Sequence, residues 1–238
     1  MKNPHSSLKI FGVKRSPVKL GVKNDLISEY CVGKDVLHIG CTDSPLTTVV
    51  WKRGDLLHLR LENVAKSLIG VDLDVESLDF LKRHGISNVI EMNAENITLD
   101  RKFDVIVAGD VLEHMNNPGL FLQQVPSLLN KDGLLVLSVP IASAFASIFS
   151  VWLTGTERVH QDHCFYFSPK TLSTLCYRYD LLPVSLFFVN AKSTEFGGAF
   201  INLLRKILIK LSPFTATQIV MAFKKKSEVD IATYIELH

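Results

Sequence analysis

This chain of 238 residues has no paired cysteines, no glycine-rich dinucleotide fingerprint and almost no excess charge of either sign. Each absence removes a class of protein. The four cysteines, Cys31, Cys41, Cys164 and Cys176, are scattered and form no C-x-x-C pair. That excludes a disulfide framework and fits small thiols in a reducing compartment. A formal net charge of +2 raises no field for nucleic acid, and no long basic face is present, so no nucleic-acid partner is expected. The amino terminus has charges but no apolar run after them and no cleavage-like site. A secretory signal is therefore not expected, and the expected location is cytoplasmic. Charge is missing altogether from residue 133 to residue 156, long enough to imitate a membrane span. Yet residues 134–139 have the composition of a strand, Pro140 stops it, and Ala- and Ser-rich residues follow. The reading adopted is a buried strand running into an apolar lid helix.

What is present is an ordinary globular composition, 47% hydrophobic and 21% charged, enough for one sizeable core. A single domain over residues 1–238 is expected. Lys2, Lys9, Lys14, Arg15, Lys19 and Lys23 load the amino-terminal end with positive charge, with no acid before Asp25, and residues 1–20 make a basic arm. Such an arm is either solvated or a docking surface for an anionic substrate or a membrane. Patterns then alternate: helix near 20–31, strand 35–39, a broken helix 46–66, strand 67–72, helix 75–84 and strand 88–92. Strand 103–108, helix 118–129, strand 134–139 and a lid segment 141–165 follow. Ser168 and Pro169 open a helix, 182–189 is a strand, 190–214 a helical insertion, 217–223 the last strand and 224–238 a loose tail. Alternating strands and helices argue for an α/β fold with a mostly parallel sheet covered on both faces.

The organising stretch runs from Lys34 to Ser44. Val36, Leu37 and Ile39 make a short apolar strand; Gly40 and small polar residues follow at once, then Pro45. A glycine lets backbone approach a ligand, and a helix start offers free N–H groups. Two further strand ends carry polar groups, Asp72 and Asn93-Ala94-Glu95, and the next carries Gly109-Asp110. In a parallel sheet these ends share one edge. A carboxylate at Asp72 accepts from both hydroxyls of a ribose, and an amide at Asn93 pairs with an adenine edge. The row suits an adenosine carrying a polar tail. A dinucleotide dehydrogenase is disfavoured, since Asp72 lies well beyond the roughly 20 residues that its fingerprint spans.

With these residues in place, the chain resembles the class I S-adenosylmethionine-dependent methyltransferases over roughly residues 30–190. The resemblance rests on Ile69-Gly70-Val71-Asp72, on Asn93-Ala94-Glu95, on Phe103-Asp104-Val105-Ile106 and above all on Asp110-Val111-Leu112-Glu113-His114 with Pro118 after it. Residues 132–140 look like the family's fifth strand. The element His163-Cys164-Phe165-Tyr166-Phe167-Ser168-Pro169 is similar to one found in a branch acting on small molecules, including sugars. The first motif departs from the family's pattern: His38 stands in place of its acid, and Thr42 and Ser44 in place of two glycines. The resemblance implies a Rossmann-like seven-stranded sheet of order 3-2-1-4-5-7-6, last strand antiparallel, with S-adenosylmethionine as cofactor. It places the donor on His38, Gly40, Cys41, Thr42, Ser44, Asp72, Leu73, Asn93, Ala94, Glu95, Gly109 and Asp110.

A methyl transfer needs alignment and exclusion of water, for which the uncharged lid is suited. If the acceptor is a hydroxyl, a base near neutral pKa helps; His163 is the preferred candidate and His114 the second, with a hydrogen-bonding role at a helix start as its alternative. His160, Asp162, His163 and Cys164 resemble a metal cluster, but no distant pair presents itself except Cys176 or His58, so no metal is expected. Phe165, Tyr166 and Phe167 either line an acceptor pocket or join the core. The expected activity is methyl transfer to a small-molecule or glycan acceptor, with O-methylation favoured. Two alternatives stand beside it. One is a non-catalytic S-adenosylmethionine-binding protein, suggested by His38, Thr42 and Ser44. The other is a membrane-peripheral enzyme on a lipid-linked substrate, touching the membrane surface weakly through the basic arm and the amphipathic residues 197–211.

Overall fold

In a computed structural model, the described residues are 19–20, 23–157, 159–190, 207–208 and 212–229. The first strand, β1 (Lys19–Leu20), precedes α1 (Lys23–Cys31) and β2 (Asp35–Ile39). Two short helices, α2 (Thr47–Lys52) and α3 (Leu57–Glu62), lead to β3 (Ser67–Asp72), α4 (Val75–Arg83) and β4 (Val89–Glu91). Then come β5 (Phe103–Gly109), α5 (Pro118–Leu128), β6 (Leu129–Pro140), α6 (Phe145–Thr154), α7 (Pro169–Tyr177), β7 (Leu181–Asn190) and β8 (Gln218–Lys225). Sheet order is β1-β7-β8-β6-β5-β2-β3-β4. Without β1 this is the order 3-2-1-4-5-7-6. Among the described residues only β8 runs antiparallel to its neighbours, β6 and β7.

Alternation along each strand builds two cores. Leu37, Ile39, Ile106 and Leu137 point to the face covered by α5 and α7, where Phe121, Leu122 and Leu172 are buried. Val36, Val105, Val107 and Val136 point to the other, where Leu26, Ile27 and Cys31 of α1 and Leu61 of α3 pack. His38 shares the parity of Val36, so its ring enters the side covered by α1 and α3.

Register brings the strand ends level. Ile39 pairs with Val71 on one side and with Ala108 on the other, and Asp72 pairs with Glu91. Gly40, Asp72, Met92 and Gly109 therefore leave the sheet at one rim. Several boundaries differ from the sequence reading. Lys19 and Leu20 pair with Val189 and Asn190 rather than starting a helix, because an open edge of β7 offers them hydrogen-bonding partners. Strand β6 begins at Leu129, running through the Asp132-Gly133 turn with Asp132 at φ 58°. At the other end, β8 extends to Lys225 and residues 226–228 make a turn of 3-10 helix, so 224–228 are not loose. The rest of the basic arm, residues 191–206 and 209–211 of the expected helical insertion with most of its amphipathic stretch, and the end of the tail lie outside the described residues. Among the described residues no helix is long and apolar enough to cross a membrane; the uncharged stretch is divided between β6 and the ten-residue α6.

Candidate active site

Two cavities open at the rim. One, of about 300 Å³, is lined by Lys23, His38, Gly40, Cys41, Thr42, Ser44, Asp72, Gly109, Asp110 and His114 among others. The other, of about 240 Å³, is lined by Gly40, Asp72, Leu73, Met92, Asn93, Ala94, Glu95, Val111 and His114 among others. Gly40, Asp72, Val111 and His114 belong to both, so the two spaces adjoin across the first turn. All twelve residues that the sequence reading marked for a nucleoside-type ligand line one or other cavity. Gly40 has φ 69°, and a Cβ there would collide with Val111, so the turn admits no side chain.

His38 is buried and stacks on His58 of α3, with ring centroids 5.5 Å apart and Nδ1 atoms 3.2 Å apart. Burial, and behind it the His58 ring, holds His38 well below the ordinary histidine range; burial pushes His58 down to about 4. Both rings are neutral at pH 7. His58 Nε2 faces Asn88 Oδ1 at 3.3 Å, and the amide is oriented by its Nδ2 donating to the Leu68 carbonyl. An amide oxygen only accepts, so His58 carries its proton on Nε2 and presents a bare Nδ1. His38 then donates from Nδ1, which leaves its own Nε2 as a lone-pair acceptor on a residue lining the larger cavity. A neutral histidine built this way accepts from an ammonium, as an acid would.

Asp72 stands half-buried at the end of β3. Its Oδ2 accepts from the Thr42 backbone N–H at 2.9 Å and the Thr42 hydroxyl at 2.7 Å, and its Oδ1 from the N–H groups of Leu73 and Asp74. The Thr42 hydroxyl is a rotor that a ribose hydroxyl could displace. Asn93 Oδ1 accepts from the Glu95 N–H, which leaves its NH₂ as donor, and Glu95 Oε1 holds the Asn117 N–H. At the far end, Asp110 (φ 55°) pairs with Lys23 at 2.6 Å and also accepts from the Ser138 hydroxyl and the Gln218 amide. Burial alone would raise the Asp110 pKa, but Lys23 and these donors hold it low. The same pairing keeps Lys23 protonated against burial. Glu113 is buried with both carboxylate oxygens unpartnered among the described residues; burial and then Asp110 push it up to about 8.

On the acceptor side, the backbone N–H groups of Cys164 and Phe165 donate to the Glu113 carbonyl, at 2.7 and 3.4 Å. This ties the segment after α6 to the 3-10 turn Leu112–His114. His114 and His163 meet edge to face with centroids 4.6 Å apart, and His160 lies 5.7 and 5.4 Å from them. Burial, then the neighbouring imidazoles, depresses His114 and His163. His114 ends the 3-10 turn instead of starting a helix. Phe167 is buried in the core, whereas Phe165 and Tyr166 stay exposed. His58 and Cys176 are buried away from this cluster, so neither completes it. The distant partner of His160 and His163 is His114.

Sequence reasoning counted Lys23 among the amino-terminal basic residues, His58 as a possible metal partner and Val111 in the Asp110–His114 element, and assigned none of them to the donor cavities. A lysine in the first turn of an amphipathic helix has no local mark separating it from a solvated one, and the His38–His58 stack joins strand to helix across 20 residues.

A methyltransferase-domain family model matches residues 25–186. A curated relative, the ubiquinone biosynthesis O-methyltransferase of Glaesserella parasuis, is 28% identical over 155 residues, 60% of this chain and 60% of that protein. The chain thus matches less than two thirds of that relative's length. Two solved S-adenosylmethionine-dependent methyltransferases share the fold. The one from Archaeoglobus fulgidus is 17% identical with a TM-score of 0.52, covering 85% of this chain and 95% of that one. The one from Thermotoga maritima is 15% identical with a TM-score of 0.57, covering 85% and 87%.

Proposed function

The chain belongs to the methyltransferase-domain family, and we propose that it moves the methyl group of S-adenosylmethionine to a hydroxyl oxygen of a small-molecule or glycan acceptor. The observation that carries this reading is the common rim: Gly40, Asp72, Asn93 and Asp110, from four strand ends, line two adjoining cavities. S-adenosylmethionine, when bound, supplies an electrophilic methyl on a sulfonium. The residues present fit it. Leu73, Met92 and Val111 give the smaller cavity apolar walls for a base, with the Asn93 amide at its edge. Asp72 serves the ribose. In the larger cavity the bare Nε2 of His38 accepts from an amino group, and Lys23, though paired with Asp110, keeps further N–H donors for a carboxylate.

Oxygen as the accepting atom is supported by the imidazoles of His163 and His114, grouped beside the rim, and by the O-methyltransferase naming of the relative. In this reading His163 and His114 activate the acceptor hydroxyl, and α6 excludes water. The depressed His38 pKa speaks against a site that has lost its donor, since a protonated ring would repel an ammonium. The direct test is isothermal titration with S-adenosylmethionine and S-adenosylhomocysteine. Micromolar binding of both is expected, and no binding of either would end the proposal.

A second reading, a membrane-peripheral enzyme on a lipid-linked acceptor, is favoured by α6. Ile148, Phe149, Trp152 and Leu153 of this uncharged helix are exposed, Trp152 to 80%. Apolar surface of this kind suits an interfacial helix. Co-sedimentation with anionic liposomes, lost in Trp152→Ser, is the supporting result; the protein remaining in the supernatant at low salt removes it.

A further inference from the structure

We propose that His114, His160 and His163 form a binding site for one divalent transition-metal ion of the zinc class. The ligand atoms of the three rings all lie within 4.8 Å of one another. Metal–nitrogen bonds of about 2.0–2.1 Å in a tetrahedron hold nitrogens roughly 3.4 Å apart, so small side-chain rotations close the set. Three imidazole ligands with no carboxylate in the set select a borderline ion such as zinc over magnesium or calcium, which take oxygen ligands. They leave one position of a tetrahedral ion free for water or an acceptor oxygen, the pattern of an open site.

The backbone prepares this arrangement. The His163 N–H donates to the His160 carbonyl at 3.1 Å, a tight turn that carries both rings on one short segment. The Cys164 N–H anchors that segment to the Glu113 carbonyl, next to His114. Asp162 flanks the His160 ring: its backbone N–H donates to Nδ1 at 3.4 Å and its carboxylate lies 3.6 Å from the same atom. His114 also lines both rim cavities, which sets the ion at their mouth. Binding of the ion does not depend on the methyl-donor reading. Where that reading holds, the three histidines would hold the ion beside the acceptor hydroxyl, where it would supply Lewis-acid polarisation of the oxygen and so assist the activation assigned to His163 and His114.

The experiment uses the full chain, freed of metal by a chelator and dialysed. Zinc binding is measured by competition with a chromophoric chelator, and cobalt(II) binding by its visible absorption. The expected result is one equivalent of zinc and a cobalt spectrum of four-coordinate intensity. His160→Ala and His163→Ala are each expected to weaken binding at least tenfold, without loss of far-ultraviolet circular dichroism, since both side chains sit near the surface. Asp72→Ala is expected to bind metal unchanged. Absence of saturable binding of either ion, or binding unaltered in the His160→Ala/His163→Ala double variant, overturns the proposal. Titration with S-adenosylmethionine on the same samples keeps the two readings apart: donor binding without metal binding sinks only the metal site, and the reverse sinks only the donor site.

Discussion

His38 donates its Nδ1 proton to the Nδ1 of His58 across 3.2 Å, so two buried, stacked imidazoles are locked as neutral tautomers beneath the rim cavity. The protonation of this pair links the stability of the fold to the polarity of the site.

That link sets a pH dependence. Both folded-state pKa values lie below that of an unfolded histidine, so the unfolded chain binds more protons in acid. The pair's contribution is complete above pH about 6.5 and is lost as pH falls. For His58 the fall from 6.5 to about 4 corresponds to about 3 kcal/mol lost across that window. Urea denaturation of the wild type and His58→Gln between pH 7.5 and pH about 4 checks this. The variant's curve should be flatter, and equal slopes would contradict the pairing.

Gly70 makes room for the stack. A Cβ on it would lie 2.6 Å from His58 Cε1 and 2.7 Å from Cys41 Cβ. Gly70→Ala, in the middle of β3, should therefore destabilise by about 1–3 kcal/mol through overpacking. Its urea midpoint should fall while the slope stays the same. A neutral or stabilising outcome would mean that α3 can withdraw its histidine.

Asp72→Ala removes one partner of hydrogen bonds to a charged group. Loss of donor affinity by about 1–3 kcal/mol is expected, roughly 5- to 150-fold in Kd. Isothermal titration reads it, with circular dichroism to confirm folding, because Thr42, Leu73 and Asp74 also lose an acceptor. An unchanged Kd would remove Asp72 from the ribose site.

Lys23→Met strands Asp110 beside the cavity. Removing one member of a buried pair costs about 3–5 kcal/mol. Here both side chains are about a quarter exposed and Ser138 and Gln218 remain, so about 1–2 kcal/mol is expected after discounting for solvent. Asp110 is held low in the wild type, so the stability difference should be full above pH about 4 and fade as pH falls through the lower folded value. A difference that persists in strong acid would point to lost packing instead.

Ser168→Ala breaks the capping box in which Ser168 accepts from the Thr171 N–H and the Thr171 hydroxyl accepts from the Ser168 N–H. A loss of about 1 kcal/mol is expected from thermal or urea unfolding. Residues 164–167 run from the Glu113 carbonyl to this cap, so faster amide exchange at Cys164 should accompany it.

The Gly40 turn and Asp72 were legible because each is local: an apolar run, a glycine or a polar group at its end; the strand order came only with the family resemblance, which the Asp110–His114 element carried. In parallel strands of matched register, local ends become one rim with no further information. Beginnings and ends of strands were less legible. Asp132 takes a left-handed φ inside β6, and β1 exists only because the edge of β7 is there to receive it.

By itself, then, the order of residues determined the layered α/β architecture and which strand ends meet, since hydrophobic alternation and turn glycines act over a few residues. Tertiary structure alone decided that His58 stacks on His38, that Lys23 neutralises Asp110, and that His114 joins His160 and His163. Those pairings unite segments 20, 87 and some 50 residues apart. Their energies are contact and charge terms that vanish in the extended chain, so no local pattern could announce them.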